Sequence, residues 1–341
     1  MSVATMSLPL LSDTYQRRVS YLRVSLTDRC NYRCQYCMPE EGVELVPRSE
    51  VLSFEEIERL VRVMMQLGVR RVRLTGGEPT VRKDLVALVS RLAALGLDDL
   101  AMTTNGERLV ELAPQLKRAG LSRLNVSLDT LDAPRFRAIT RRGNLENVLG
   151  GIEMAREVGF TSIKLNAVVM GGINDDDIVP LCRYAWERDL VPRFIEFMPM
   201  SDGALFVPGE FFAAQKIRER IASAFGALAG DEGAGIVGVG PARYQRLGEG
   251  AFAGRRVGII SAVSEPFCAT CNRVRLTATG NLHTCLAIDD DTDLRTPLRA
   301  GASDEELARK VLSAVTSKKE GHSFTACGSG GPRKHMVAIG G

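Results

Sequence analysis

The chain has 341 residues, 45% hydrophobic and 25% charged, enough for about two ordinary domains or one barrel with an appendage. Lysine plus arginine (44) nearly balances aspartate plus glutamate (41), so the net charge of +3 excludes a whole-chain demand for nucleic acid or an anionic membrane, and any anion site must be local. No apolar run approaches a membrane span and the opening stretch MSVATMSLPLLSDTYQRR lacks a basic n-region, so the expected location is cytoplasmic; eight cysteines there point to metal binding or catalysis rather than disulfides.

In chain order, the extended YLRVSL is followed by SFEEIERLVRVMMQLG, which opens with Ser53 and carries Glu56 three residues on, a capping box ahead of helical apolar spacing. VRRVRLTG reads as a strand, DLVALVSRLAALG as a helix, LAMTTNG as a strand, ERLVELAPQLKRAG as a helix and RLNVSLD as a strand. NLENVLGGIEMAREVG, SIKLNAVVM, DDDIVPLCRYAWERDL and PRFIEFMP continue the beat, giving about six strand-helix units between residues 21 and 198. Alternating units of this kind form a parallel sheet. A doubly wound open sheet is the commoner solution, but similar units without a switch in character fit a partial (β/α)6 barrel better. From about residue 205 the rhythm changes to a helix (EFFAAQKIRERIASAF), a Gly-rich link (GDEGAGIVGVG) and short strands. The expected fold class is therefore α/β, a partial (β/α)6 TIM-like barrel over residues 1–200 with a smaller α+β unit over 201–341.

In parallel α/β folds the site gathers at the carboxyl ends of the strands. Here TDRCNYRCQYC follows the first strand, TGGEP the second, TTNG the third and SLD the fourth, so four unusual segments share one rim. Cys30, Cys34 and Cys37 on one loop can hold one metal centre. A structural zinc site needs four ligands, and neither a histidine nor a fourth cysteine lies near this loop. An iron-sulfur cluster held by three thiolates leaves one iron open. A second triplet, Cys268, Cys271 and Cys285, has the spacing CxxCx13C; His283 could complete a Cys3His zinc site there, and a second cluster fits equally well.

The strands carry a further signal. Strands of a parallel barrel should be nearly continuous apolar runs, yet Arg23, Arg71, Arg73, Lys164 and Arg193 interrupt these ones. The period of two puts Arg71, Arg73 and Thr75 on one face, and Arg273, Arg275 and Thr277 on one face of NRVRLT. Any one of these arginines could snorkel or pair with an acid. Five or more cations sharing a cavity require a counter-anion, and a triphosphate would serve. Cys182, on a helix face, and Cys327, in the tail, match no cluster pattern, and Met64 and Met65 look like packing.

CxxxCxxC after the first strand together with TGGEP after the second resembles the radical S-adenosylmethionine superfamily, in which the amino and carboxylate groups of S-adenosylmethionine chelate the open iron. With CxxCx13C, the terminal Gly340 and Gly341, and the stretches IEFMPM, GINDDDI and CNRVRLT, the chain from residue 21 onward resembles one family within it, the GTP 3',8-cyclases, which open molybdenum cofactor biosynthesis. The resemblance implies two 4Fe-4S clusters on the six cysteines named, S-adenosyl-L-methionine as the source of a 5'-deoxyadenosyl radical, and GTP as a substrate whose C3' is joined to C8 of its guanine. It places substrate contacts on Arg23, Arg73, Thr103, Lys164, Arg273, Val274 and Arg275, and S-adenosylmethionine contacts on Tyr36, Gly77, Ser127 and Met198. It also implies an electron donor of unknown identity, a homodimer, and a tail that reaches into the active site. A two-cluster radical enzyme acting on a peptide is the nearest rival, against which the basic strands argue; a two-cluster electron carrier would have no use for GGEP or for the buried cations.

Overall fold

The computed structural model describes residues 9–230 and 240–340; residues 1–8, most of the Gly-rich link and the terminal Gly341 lie outside the described residues. Strand β1 (Tyr21–Ser25) leads through the first cysteine loop to α1 (Phe54–Gln66). The alternation continues with β2 (Arg71–Thr75), α2 (Leu85–Ala93), β3 (Asp99–Thr104), α3 (Leu109–Arg118), β4 (Arg123–Ser127), α4 (Ala133–Thr140), α5 (Leu145–Glu157), β5 (Ile163–Val169), α6 (Ile178–Trp186) and β6 (Val191–Glu196). The capping box is present: Ser53 Oγ accepts from the Glu56 amide, and the Glu56 carboxylate accepts from the Ser53 amide. Where one helix was expected between β4 and β5 there are two. Asp132 caps the first, Arg141 at φ +62° ends it, and Asn144 caps the second.

After α7 (Ala214–Phe225), which begins four residues beyond its expected start, come β7 (Leu228–Gly230), β8 (Arg243–Leu247), β9 (Arg256–Ile260), β10 (Arg273–Leu276), β11 (Asn281–His283) and β12 (Thr292–Asp293). Helices α8 (Arg295–Arg299), α9 (Asp304–Thr316) and α10 (Met336–Ile339) complete the described chain. Among the described residues the strands form one sheet in the order β12-β11-β10-β1-β2-β3-β4-β5-β6-β9-β8-β7. β10 pairs parallel with β1, and β9 parallel with β6, so the carboxyl-terminal part prolongs the sheet at both edges; beyond them the pairing turns antiparallel.

The two faces of this sheet differ in kind. Leu22, Val24, Val72, Leu74, Leu100, Met102, Leu124, Val126 and Leu165 point outward into one continuous core with helix residues such as Ile57, Leu60 and Met64. Each such side chain removed from water contributes about 1.5–3 kcal/mol, so the outer face alone supplies the apolar driving force for the α/β layering. The inner face is polar. The register aligns Arg23 with Arg73 and Arg275 across three neighbouring strands, and Asn125 with Lys164 across two more. Curvature brings residues from β1 and β10 to the same cavity as residues from β4, β5 and β6, the shape of a partial barrel open on one side.

Candidate active site

A cavity of about 220 Å³ occupies the barrel's interior and mouth. Arg23, Arg73, Arg193, Arg273 and Arg275 line it, each because the period of two turns alternate residues of its strand inward. Burial and the neighbouring guanidinium charges of Arg275 and Arg73 lower the pKa of Arg23. Burial and Arg273 bring Arg275 down to about 10. Arg193 is also held at about 10, first by burial; its guanidinium donates to Asn166 Oδ1 and to Asn125 Oδ1, both at 2.8 Å. The Nε atoms of Arg23 and Arg73 are buried without a hydrogen-bond partner. Such donors go unpaired in a native protein only where something else satisfies them, and a polyanion would satisfy both.

Lys164 does not line the cavity but is buried at its edge, with Nζ 5.3 Å from the Tyr244 ring. Burial, then Arg193, Arg123 and Arg73, push its pKa down to about 6. Thr103 lines the cavity and receives an Asn125 amide donor at 3.4 Å. Val274 faces the other way, fully buried in the outer core, so of this residue only the backbone could meet a ligand. The expectation of a contact there is narrowed to the main chain by the same alternation that aims Arg273 and Arg275 inward.

The first cysteine loop lies at the carboxyl end of β1. It is tied to α4 by backbone bonds from Arg33 to Thr140 and from Gln35 to Ile139, each 3.0 Å. Burial raises Cys30 to about 11 and Cys37 to about 12, and Cys34 is raised by burial and then by its neighbours Cys37, Asp129 and Cys30. The three thiols therefore remain protonated at neutral pH until a cation takes them, so binding a centre must release protons; among the described residues no three such side chains are gathered tightly enough to hold a single metal ion. The GGEP turn braces this loop. A Cβ on Gly77 would sit 2.2 Å from the Arg29 carbonyl oxygen, the Gly77 amide donates to Thr27 O at 2.6 Å and the Glu78 amide to Arg29 O at 2.8 Å. The close approach demanded of the glycine is thus to the cysteine loop, and its N–H is already engaged; its carbonyl is the group left for a ligand. Glu78 is buried and accepts from Thr80 N, Thr80 Oγ1, Thr104 Oγ1 and Asn105 N at 2.6–3.0 Å, tying the ends of β2 and β3 together.

Tyr36, Ser127 and Met198 line the cavity. Sequence reasoning missed Asp129, also in the lining, whose carboxylate accepts from Tyr36 OH and from Val168 N, each at 2.8 Å; burial raises its pKa to about 6. Its only sequence signal was its place just past the fourth strand. Also missed were Asn166 as a cavity residue, and two cations that hold the second cysteine loop. Arg17 donates to the carbonyls of Cys268, Lys319 and Glu320, and Lys318 to that of Thr284.

Cys268, Cys271 and Cys285 all line the cavity at the β10 side. Burial would raise Cys271, but Arg273, Lys318 and Arg17 outweigh it and bring the thiol below its ordinary value; burial wins at Cys285, which is raised. His283, the candidate fourth zinc ligand, is fully buried and turned instead toward Asp291, with Nε2 2.7 Å from its carboxylate. Finally, the tail does reach the barrel: the Gly340 carbonyl accepts from Arg275, and a Cβ there would lie 2.9 Å from Ser25 Cβ.

A family model described as the Radical SAM superfamily matches residues 24–185, and one described as Molybdenum Cofactor Synthesis C matches residues 191–324. A GTP 3',8-cyclase of Heliobacterium modesticaldum is 48% identical over 96% of this chain and 99% of its own length. Another, of Pelotomaculum thermopropionicum, is 44% identical over 97% of this chain and 100% of its own. Among solved structures, Streptococcus suis SuiB bound to S-adenosylmethionine aligns with a TM-score of 0.56 at 16% identity, over 81% of this chain and 63% of that one, a likeness in fold. The chain belongs to the GTP 3',8-cyclase family of the radical S-adenosylmethionine superfamily.

Proposed function

We propose that this chain converts GTP to 3',8-cyclo-7,8-dihydroguanosine triphosphate, with one 4Fe-4S cluster on Cys30, Cys34 and Cys37, a second on Cys268, Cys271 and Cys285, and S-adenosylmethionine between them. The observation that carries the reading is the row of inward arginines, Arg23, Arg73 and Arg275, whose buried and partly unpartnered guanidiniums share a cavity with the second cysteine triplet. When bound, the first cluster and S-adenosylmethionine supply one-electron cleavage and a primary carbon radical; the electron for that cleavage, and a second electron that with a proton converts the cyclised nucleotide to its closed-shell 7,8-dihydro form, come from an external donor. The residues fit these groups. Each triplet offers three thiols, and His283, the candidate fourth ligand of the second, is committed to Asp291.

The protein's own part is binding, orientation and exclusion of water. Arg23, Arg73, Arg273 and Arg275 would hold the triphosphate by charge-assisted hydrogen bonds, with Lys164 adding charge at the edge. Tyr36, fixed by Asp129, together with Ser127, Met198 and the Gly77 carbonyl would orient S-adenosylmethionine. Phe197, Ile260 and Phe324 give the same cavity an apolar wall that keeps water from a radical. No helix among the described residues is long and apolar enough to cross a membrane.

Anaerobically iron-loaded protein given S-adenosylmethionine, GTP and dithionite tests the proposal. Cyclised nucleotide and 5'-deoxyadenosine are expected in about equal amounts. Turnover of a peptide and not of GTP would refute it.

A further inference from the structure

Residues 199–203, just beyond β6, and residues 328–335, just before α10, meet more closely than side chains allow. A Cβ on Gly331 would fall 1.5 Å from the Pro199 carbonyl oxygen, and one on Gly203 would fall 2.2 Å from that of Gly328. Each segment thus spends a glycine on the other. The Asp202 amide donates to Pro332 O at 2.8 Å, and Ser201 Oγ lies 2.6 Å from His335 Nδ1. Ser201 and Asp202 sit at φ +58° and +52°, a left-handed backbone that strains a non-glycine residue. The strained turn is the one that presents the Ser201 hydroxyl and the Asp202 amide to the tail.

What lies downstream gives the contact its meaning. His335 immediately precedes α10, whose Val337 and Ile339 are buried, and α10 delivers the Gly340 carbonyl to Arg275 inside the barrel. On its other side the tail is tied to the loop after Cys285, by Arg333 to Asp289 at 3.1 Å and by Lys334 to Asp291 at 2.6 Å. Met200, next to Ser201, lines the cavity, as does Met336, next to His335.

We propose that Ser201 and His335 form a clasp that positions the terminal helix on the barrel, with both acting as positioning residues for the reaction. The consequence for GTP rests on the function proposed above; the placement of the tail does not. Loss of the Ser201–His335 bond removes about 1–1.5 kcal/mol from the docked state, so local opening of the tail should become about tenfold more frequent.

The test uses iron-loaded protein carrying Ser201→Gly, which deletes the hydroxyl and relieves the positive φ, His335→Leu, which deletes the ring nitrogen, and His335→Asn, whose side-chain amide can replace Nδ1. Amide exchange over residues 336–340 should quicken about tenfold in the first two and return toward the unaltered rate in the third, with the melting temperature held within a few degrees. In the same variants, 5'-deoxyadenosine formed per cyclised nucleotide should rise while cleavage of S-adenosylmethionine continues. Unchanged exchange in both deletion variants would overturn the clasp; faster exchange with unchanged coupling would overturn its part in the reaction. An unaltered protein that makes no cyclised nucleotide would overturn the proposed function instead, and the exchange rates would still judge the clasp.

Discussion

Replacing Arg73 by methionine, which keeps an unbranched apolar stem and removes the guanidinium, should strengthen the ligand-free fold and weaken the binding of GTP. Arg73 is 8% exposed, its Nε has no partner, and its charge is among those that lower Arg23, Lys164 and Arg193. A buried unsatisfied donor costs about 1–3 kcal/mol. Against its removal stands the contact of the guanidinium with the Tyr21 ring at 5.5 Å, worth about 0.5–2 kcal/mol. At the midpoints of these two ranges the net gain is about 0.8 kcal/mol. With roughly 2.1 cal/mol/K of unfolding entropy per residue over 341 residues, the melting temperature should rise by about 1 °C, measured anaerobically without nucleotide. A charge-assisted bond to phosphate is worth about 1.5–3 kcal/mol, so titration with GTP should show affinity reduced roughly tenfold to a hundredfold. A variant that melted several degrees lower and bound GTP as before would show that the inward arginines are structural props, and the reasoning from them to a polyanion would fail.

Arg275→Ala should weaken GTP by roughly the same tenfold to hundredfold, and guanosine should bind the unaltered protein far worse than GTP does; equal affinities for the two would remove the triphosphate from the account. Lys164, at about 6 in the ligand-free protein, is neutral at pH 7.5, and phosphate nearby raises its pKa, so binding takes up a proton. GTP affinity should therefore fall with rising pH between 7 and 8, by up to about tenfold, with proton uptake seen by calorimetry in two buffers and lost in Lys164→Met. Cys285→Ala should lower iron from about eight to about four per chain and leave reductive cleavage of S-adenosylmethionine measurable. Glu78→Gln places an amide N–H among donors that need an acceptor, and should lower the melting temperature by about 2–4 °C through a loss of about 1–3 kcal/mol.

Much of this site could be read in the sequence because strand alternation maps directly onto a barrel's two faces. Arg23, Arg73 and Arg275 were legible as inward residues, and the same rule, applied one position on, turns Val274 away from the cavity. Cysteine spacing marked both triplets. Asp129 was not legible as a cavity carboxylate, since what defines it is contact with Tyr36 and Val168, 93 and 39 residues away. Arg17 and Lys318 act on the second cysteine loop from distant segments, and the cysteine loop that crowds Gly77 comes from another strand end. The joining of β9 and β10 to opposite edges of the sheet likewise depends on long-range pairing, which local pattern does not carry. In the tail's GSGGP stretch the glycines serve close approach, Gly331 to Pro199, Gly328 to Phe206 and Gly330 to Ser323.

The central claim is that the inward cations hold GTP with its ribose facing the radical made at the first cysteine triplet. GTP deuterated at C3', given to the anaerobically loaded protein with S-adenosylmethionine and dithionite, tests it by mass spectrometry of both products. The account predicts one deuterium in 5'-deoxyadenosine and its loss from the cyclised nucleotide. Unlabelled 5'-deoxyadenosine beside GTP that keeps its deuterium would contradict it.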